Sequence, residues 1–177
     1  MEHNIVTERI VNWRKPSPPF VKLNSDGAVN NLSAGAGGII RDNSGSILAA
    51  FAAPIHRPNA ITAELLALNY RLKICKNRGF NNVWIEVDAM LLIQIINDTI
   101  PGNPQNFYLI REIKHCISSM NFFISHIYRE ANICADWLAK KGCSLSNYEE
   151  LDIRMLNPVL KGMVNLDKAG MPYIRNE

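Results

Sequence analysis

Four acidic residues stand where carboxylates can do chemistry in an α/β protein. Asp26 lies within a predicted strand, directly before Gly27, and Glu64 lies in about the first turn of a predicted helix. Asp88 is the last residue of a later predicted strand, and Asp136 lies near the start of another helix. Because strand ends and helix starts gather at one edge of an open α/β sheet, these side chains can converge there. Converging carboxylates repel one another unless cations neutralise them, and hard divalent ions such as Mg²⁺ or Mn²⁺ suit oxygen ligands.

Each of these carboxylates also has a purely structural interpretation. Asp88 can cap the helix that follows it, and Glu64 and Asp136 can complement the positive N-terminus of a helix. Asp26 is harder to explain in this way, because Asp is depleted in strands and an unpaired carboxylate is costly to bury. Spacing alone leaves open whether the four side chains meet.

The hydrophobic pattern predicts the elements that must position them. Alternation of apolar and polar residues, with a turn signal at 42–45, predicts an antiparallel meander followed by two further strands. The predicted strands cover residues 20–29, 35–41, 46–51, 82–88 and 121–128. The predicted helices cover residues 60–76, 89–97, 105–120 and 131–141, the last closed by Gly142. This order predicts an α/β fold in which helices cover a mixed sheet.

The chain divides into three predicted segments. Residues 1–19 form a proline-rich extended lead-in, residues 20–143 form the domain, and residues 144–177 form a tail. In the tail, Asn157 and Pro158 are typical of a helix start, so we expect a short helix that ends near Gly170.

Composition limits the class of protein. A length of 177 residues, 47% of them hydrophobic and 20% charged, predicts one ordinary globular domain. No apolar run is long enough for a transmembrane helix, and residues 1–4 do not resemble a secretory signal, so we expect an intracellular protein. The four cysteines lack metal-binding spacing, and we expect reduced thiols packed in helices. A net charge of +3 is compatible with a polyanionic partner without requiring one.

Five blocks of sequence resemble a type 1 ribonuclease H domain. More narrowly, they are similar to the plant reverse-transcriptase-like ribonuclease H domains of non-LTR retrotransposons and their derivatives. The blocks are LNSDGA (23–28), AGGIIRD (36–42), AELLAL (63–68), IEVD (85–88) and HIYREANICADWLA (126–139). The lead-in around Trp13 and the tail also fit that plant group, so the resemblance covers residues 13–172.

The resemblance implies a ribonuclease H-like fold with a five-stranded mixed sheet, in strand order 3-2-1-4-5, and flanking helices. It also implies an endonuclease that cleaves the RNA strand of an RNA–DNA hybrid and leaves a 5′ phosphate. Asp26, Glu64, Asp88 and Asp136 would hold two Mg²⁺ ions, which Mn²⁺ can replace, and Asp26 would bridge them. In such a site one ion lowers the pKa of the attacking water and the other stabilises the leaving oxygen.

Further candidates come from the same resemblance. His126, ten residues before Asp136, matches in spacing a family histidine that assists proton transfer or product release; alternatively it is an end-of-strand residue. Gly27, Asn59 and Asn132 are candidate substrate contacts. Asn59 has an alternative interpretation as a helix-start asparagine, and Asn132 as a residue that helps to start its helix.

The sequence departs from the family pattern in two places. Asp88 is followed by Ala89, where many members have Ser, and only a short loop without a basic protrusion joins Asp98 to Gln105. We therefore expect modest and salt-sensitive substrate affinity. The remaining candidates for phosphate contacts are basic residues, most of which also fit solvated helix faces. They are Arg41, Lys73, Lys76, Arg78, Arg129, Lys140 and Lys141.

Two other functions fit the sequence less well. A domain that kept the fold but binds nucleic acid with weak or no turnover agrees with the low charge and with these departures. A small-molecule α/β enzyme is disfavoured, because the chain has neither a GxGxxG nor a GxxxxGK[ST] loop. We expect a monomer that uses no organic cofactor and does not contact a membrane.

Overall fold

A six-stranded mixed sheet with helices on both faces is the centre of the computed structural model, which describes residues 7–56 and 59–176. The strands are β1 (Glu8–Val11), β2 (Val21–Val29), β3 (Ala34–Arg41), β4 (Ile47–Ile55), β5 (Asn82–Val87), β6 (Asn121–His126), β7 (Glu149–Glu150) and β8 (Tyr173–Asn176). The helices are α1 (Ala60–Arg78), α2 (Met90–Ile96), α3 (Phe107–Ser118), α4 (Ile133–Cys143) and α5 (Pro158–Lys168).

The main sheet has the strand order β6-β5-β2-β3-β4-β7. Strands β2, β3 and β4 are antiparallel neighbours, while β5 runs parallel to β2 and β6 parallel to β5. The predicted order of the five long strands is therefore confirmed. Strand β7 is an addition at the edge beside β4, where it pairs with Phe51 and Ala52. It is two residues long, too short to show a period in the sequence.

Strand β4 is longer than predicted. The sequence indicates a strand that ends at Phe51, but the structure continues it to Ile55. All nine of its residues are apolar and four of them are buried alanines, so the strand shows no alternation of apolar and polar side chains. The turn that enters β4 is as predicted: Asp42 Oδ1 accepts hydrogen bonds from the backbone N–H groups of Ser44 and Ser46, both at 2.9 Å.

The sequence pattern predicts that Gly142 ends its helix, and this prediction is wrong. Gly142 lies inside α4, which begins at Ile133 after a 3-10 turn at Arg129–Ala131. A Cβ atom at Gly142 would lie 2.5 Å from the carbonyl oxygen of Ala53, so this glycine lets α4 press against β4. Its role is close packing between elements.

Two apolar layers fill the space between sheet and helices. The larger layer lies between α1 and the sheet and includes Leu23, Phe51 and Leu68, all 0% exposed. The smaller layer joins Ile39 of β3 to Leu138 of α4 and to α5. All four cysteines lie in helices without a disulfide, and three of them are buried. Among the described residues, no helix combines the length and hydropathy needed to cross a membrane.

The lead-in and the tail pair with each other. Strand β1 forms a separate two-stranded antiparallel sheet with β8, an element that the sequence did not predict. Trp13 is 2% exposed, and its indole Nε1 donates to Asn24 Oδ1 of β2 at 2.9 Å. Helix α5 is confirmed, since Asn157 caps it by accepting from Val159 N at 2.9 Å. Residues 1–6 of the predicted lead-in lie outside the described residues, and the proposed boundaries at 19/20 and 143/144 stay predictions.

A buried ion pair attaches this tail to the sheet. Arg41 Nη1 of β3 lies 2.6 Å from Asp167 Oδ2 of α5, and both side chains are at most 1% exposed. Tyr173 Oη donates to the other Asp167 oxygen at 2.9 Å, and the Arg41 guanidinium lies 3.8 Å from the centre of the Trp13 ring. The interpretation of Arg41 as a phosphate contact is therefore wrong, because its guanidinium group is buried and forms an ion pair with Asp167.

We expect Asp167→Ala to reduce the free energy of unfolding by about 3–5 kcal/mol, because it leaves the buried Arg41 guanidinium without a counter-charge. Urea denaturation followed by circular dichroism measures this change. Asp152→Ala is the matched control, since Asp152 pairs with Arg154 on the exposed surface and its loss should leave stability almost unchanged. Equal stability of the two variants would contradict the role given to the buried pair.

Candidate active site

Three of the four predicted carboxylates meet at one edge of the sheet. One oxygen each from Asp26, Glu64 and Asp88 lies within 4.8 Å of the others. The parallel register pairs Ser25 of β2 with Val87 of β5, so the residues that follow, Asp26 and Asp88, reach the same edge. The sequence predicts Asp88 as the last residue of its strand, but β5 ends at Val87 and Asp88 follows it directly. Helix α1 supplies Glu64, whose backbone packs against Gly27 of β2.

Gly27 allows α1 to come this close. A Cβ atom at position 27 would lie 2.8 Å from both Ala63 Cβ and the backbone nitrogen of Glu64. The backbone N–H of Gly27 donates to Asp26 Oδ1 at 2.9 Å, which fixes the direction of that carboxylate. Gly27 also lines the cleft, so its predicted contact with substrate remains a prediction beside a clear structural role.

Asp136 lines the same cleft but lies outside this group of three. It lies on the first turn of α4, where its carboxylate accepts from Lys140 Nζ at 2.7 Å and lies 3.8 Å from Arg129 Nη2. The cleft has a volume of about 460 Å³, and Arg129 and Lys140 line it together with the four acidic residues. The cleft therefore combines four carboxylates with two cations, both of which lie next to Asp136.

Burial makes the cluster unusually hard to ionise. It raises the pKa of Asp26 to about 7, and the negative charge of Asp88 adds to the shift. Burial and then the Asp26 carboxylate raise the pKa of Glu64 as well, and burial raises that of Asp88. Glu64 Oε2 is buried and has no hydrogen-bond partner among the described residues. An oxygen-only set of repelling carboxylates with an unpartnered oxygen fits a hard divalent cation.

Arg71 is a charged residue near the site that the sequence analysis missed. It lies on α1 two turns after Glu64, is 0% exposed, and donates from Nη2 to Ser25 Oγ at 2.7 Å. Burial lowers the pKa of Arg71 to about 9, against opposing effects of Cys75 and Glu64. On a helix with an apolar face, an arginine is usually taken for a solvated residue, so no sequence signal marked it.

His126 is placed beside the cluster. It is the last residue of β6, it is exposed, and its Nε2 atom lies 3.1 Å from the backbone oxygen of Asp88. Its ring meets that of Tyr128 edge-on, with centroids 5.2 Å apart. The location agrees with both interpretations of this histidine, and a part in catalysis remains a prediction.

The two asparagine candidates have structural functions. Asn59 is exposed and caps α1 by accepting from Ile61 N at 3.1 Å. Asn132 is 2% exposed and donates from Nδ2 to Ser25 O at 3.1 Å, which links the start of α4 to β2 behind the cluster. Its side chain makes no capping hydrogen bond to α4, and its burial does not support direct contact with substrate. The sequence also implies that α2 lacks a side-chain cap, because Ala89 stands at its start, and the structure shows no such cap.

Most of the basic candidates for phosphate contacts are paired with acids on the surface. Lys73 Nζ lies 2.8 Å from Glu112, and Lys141 lies 3.9 Å from Glu149. Arg78 forms an ion pair with Glu150. Of the seven residues named above, Arg129 and Lys140 line the cleft.

A helix-covered mixed sheet of this order, with one aspartate within β2 and another directly after β5, defines a ribonuclease H-like domain. Solved structures agree. The ribonuclease H1 of Halobacterium salinarum superposes with a TM-score of 0.65 at 23% identity, covering 70% of this chain and 96% of that one. The N-terminal ribonuclease H domain of Mycobacterium tuberculosis Rv2228c gives 0.65 at 21% identity, covering 70% and 93%.

Sequence comparison gives the family. Residues 24–142 match the family described as reverse transcriptase-like, so the chain belongs to that family. It is 34% identical over 143 residues to an Arabidopsis thaliana protein named "Putative ribonuclease H protein". That match covers 78% of this chain and 23% of the relative, so the chain spans about a quarter of that protein's length.

The raised pKa values predict how stability depends on pH when EDTA removes divalent ions. The folded state holds protons on Asp26 and Glu64 that the unfolded chain loses near pH 4, so the free energy of unfolding falls as pH rises from about 4 to 7. The slope reaches about 1.4 kcal/mol per pH unit for each group. Urea denaturation at pH 5, 6 and 7 measures it.

In the Glu64→Gln variant this fall should be smaller, because one carboxyl group with a raised pKa is removed. Glu112→Gln is the control. Glu112 is exposed, and the hydrogen bond from Lys73 lowers its pKa, so the slope between pH 5 and 7 should match that of the unaltered protein. A Glu64→Gln slope as steep as that of the control would show that the cluster is not protonated as described.

Proposed function

We propose that this domain is a divalent-metal-dependent endonuclease that cleaves the RNA strand of an RNA–DNA hybrid. The observation that carries the proposal is the convergence of Asp26, Glu64 and Asp88 within 4.8 Å in an open cleft. Such a cluster is unfavourable for the folded protein alone, since burial and mutual repulsion oppose its ionisation. A function that uses the charge explains why the fold retains it.

Asp26, Glu64 and Asp88 are the residues that would hold Mg²⁺ or Mn²⁺, and Asp136 would join them after exchanging its contact with Lys140. Bound there, the ions would supply an activated water and stabilise the charge on the leaving oxygen. Asp26 is oriented by the N–H of Gly27, and one of its oxygens lies within 4.8 Å of oxygens of both Glu64 and Asp88, so it would be one of the ligands.

The neighbouring side chains suit a phosphodiester substrate. Arg129 and Lys140 line the cleft and can contact the phosphate groups on either side of the cleaved bond. His126 lies next to Asp88 and is exposed, so it can carry a proton to or from the reacting phosphate. These roles are assigned by position in the cleft for Arg129 and Lys140, by position beside it for His126, and by the chemistry of the side chains.

The choice of an RNA–DNA hybrid rests on likeness to solved proteins and on the reaction. One similar structure, LC11-RNase H1 from a compost metagenome, is in complex with an RNA/DNA hybrid; it superposes with a TM-score of 0.63 at 23% identity, covering 70% of this chain and 96% of that one. Cleavage needs a ribose on one strand, and a protein can sense its 2′-OH and the shape of the groove.

A second function is favoured by one observation. Asp136 already has two cationic neighbours, Lys140 and Arg129, so the fourth carboxylate is partly neutralised without metal. A domain with this arrangement could bind hybrids and turn them over slowly or not at all. Cleavage assays separate the two functions directly.

Asp26→Asn should lower the rate of hybrid cleavage by about 10³-fold or more, because the amide cannot bridge two cations. The fold should persist, with equal or higher stability, since one member of a repelling cluster becomes neutral. The measurement is single-turnover cleavage of a labelled hybrid in Mg²⁺, together with binding of the same hybrid.

Asp98→Asn is the control for this change. Asp98 is an exposed residue with a positive φ of 59°, a conformation that Asn also accepts, and it lies in the loop after α2. Its cleavage rate should equal that of the unaltered protein. If the unaltered protein and Asp26→Asn bind hybrids equally and neither cleaves in Mg²⁺ or Mn²⁺, the nuclease proposal is wrong and the binding domain is correct.

Mg²⁺ should raise the melting temperature of the unaltered protein. An ion that binds only the folded state, at tenfold its dissociation constant, adds about 1.4 kcal/mol, which corresponds to about 3–6 °C for a domain of this size. Differential scanning fluorimetry over a Mg²⁺ titration measures the shift. Asp26→Asn should show a much smaller one, and a flat curve for the unaltered protein would contradict an assembled metal site.

A further inference from the structure

Acids and bases in the interior form two ion pairs and leave one base over. Among the described residues, the buried charged ones are the bases Lys22, Arg41 and Arg71 and the acids Asp26, Glu64, Glu86 and Asp167. Lys22 Nζ lies 2.8 Å from Glu86 Oε2. Arg41 Nη1 lies 2.6 Å from Asp167 Oδ2. These pairs leave a single buried base, on α1, and two buried acids, both in the carboxylate cluster.

The base that is left over is Arg71. Its side chain is 0% exposed, and Nη2 donates to Ser25 Oγ at 2.7 Å. Its Nε and Nη1 atoms are buried and have no hydrogen-bond partner in the described part of the chain. No carboxylate of that part forms an ion pair with it. Because a buried guanidinium without a counter-charge is costly, the fold must supply negative charge from further away.

The place of Arg71 is built into two strands. A Cβ atom at Gly38 of β3 would lie 2.3 Å from Arg71 Cδ, so the missing side chain at this glycine makes room for the arginine. Ser25 of β2 is the register partner of Gly38, and Asp26 follows it directly. The guanidinium group therefore lies against the strand that carries Asp26, one residue away from that carboxylate.

Glu64 connects Arg71 to the cluster along the helix. The two residues are two turns apart on one face of α1, which corresponds to roughly 10 Å. Burial lowers the pKa of Arg71 to about 9, and negative charge on Cys75 or Glu64 opposes this shift. Burial also raises the pKa of the Cys75 thiol to about 12, so the thiol stays neutral. The negative charge that favours the arginine cation is therefore that of the carboxylate cluster.

We propose that Arg71 is a positioning residue of the carboxylate cluster. Its guanidinium group is the internal counter-charge of Asp26 and Glu64 when no divalent ion is bound, and its repulsion weakens the binding of such an ion. The effect on the ion rests on the proposed function, since it concerns the same metal site. At about 10 Å in the interior, one unit charge is enough for roughly a tenfold effect on an equilibrium constant.

A double-mutant cycle on the full chain tests the counter-charge in the absence of metal. Urea denaturation in EDTA measures the effect of Arg71→Met with the unaltered cluster and with a cluster neutralised by Asp26→Asn plus Glu64→Gln. In the neutralised cluster, Arg71 is a buried cation without compensation. Its replacement should therefore favour folding about tenfold more, in the equilibrium constant, than it does with the unaltered cluster.

Two further variants separate the charge of Arg71 from its packing. Arg71→Lys keeps the charge, so its effect on stability should be about equal with the unaltered and the neutralised cluster. Lys73→Met is the matched control on the same helix, because Lys73 is exposed and pairs with Glu112 on the surface. Its effect should also be equal with both clusters, since solvent screens an exposed charge.

A second neutral variant, Arg71→Gln, covers the case in which Arg71→Met does not fold. Glutamine lacks the charge but still donates hydrogen bonds. If both neutral variants unfold with the unaltered cluster and fold with the neutralised one, the counter-charge is supported. If they unfold, or change stability equally, with both clusters, Arg71 acts through packing alone and the proposal is overturned.

Titration calorimetry with Mg²⁺ alone tests the effect on the metal site. Arg71→Met should bind Mg²⁺ about tenfold more tightly than the unaltered protein, because a repelling charge is gone. Arg71→Lys and Lys73→Met should bind it with unaltered affinity. Loss of packing alone would loosen the carboxylates and weaken binding, so weaker or unchanged binding by Arg71→Met overturns this part of the proposal. If the unaltered protein binds no Mg²⁺, the proposed function fails, while the cycle in EDTA still decides whether Arg71 is the counter-charge.

Discussion

Mutual repulsion among three carboxylates, two of them buried and one half-buried, is the constraint to which the rest of the structure must respond. Asp26, Glu64 and Asp88 lie within 4.8 Å of one another, yet nothing in their own charges holds them together. Backbone geometry does so. The parallel register of β2 and β5 brings two of the residues to one edge, and the missing side chain at Gly27 lets α1 bring the third. The crowded carboxylates carry negative charge that a bound cation can neutralise.

The interior behind the cluster contains buried polar and charged side chains, and asparagines among them fix the position of β2. Asn24 accepts from Trp13 and from Arg41 and donates to Glu86, so one side chain connects the lead-in, β3 and β5. Asn132 holds the start of α4 against Ser25. Because buried polar groups are costly unless they are hydrogen-bonded, this network specifies one position for β2 and hence for Asp26.

Alternation and helical periodicity are local signals, so they were sufficient to predict the five long strands and the helices between them. The order of those strands in the sheet was implied by the resemblance to the ribonuclease H family. The sequence was also sufficient to select the carboxylates, since an aspartate inside a central strand calls for an explanation beyond packing. The sequence could not predict contacts between distant residues. Arg41 looks like a possible phosphate contact in the sequence because its partner, Asp167, lies 126 residues away. Gly142 looks like a helix end because the strand that packs against it is visible only in the fold.

The central claim is that the carboxylate cluster exists to hold divalent ions. Crystals of the protein grown with Mn²⁺ would test it by anomalous diffraction at the manganese edge. The account predicts strong anomalous density bonded to oxygens of Asp26, Glu64 and Asp88, with Asp136 turned away from Lys140 toward the ions. Data from crystals saturated with Mn²⁺ that show no anomalous density in the cleft, and in which Asp136 still pairs with Lys140, would contradict it.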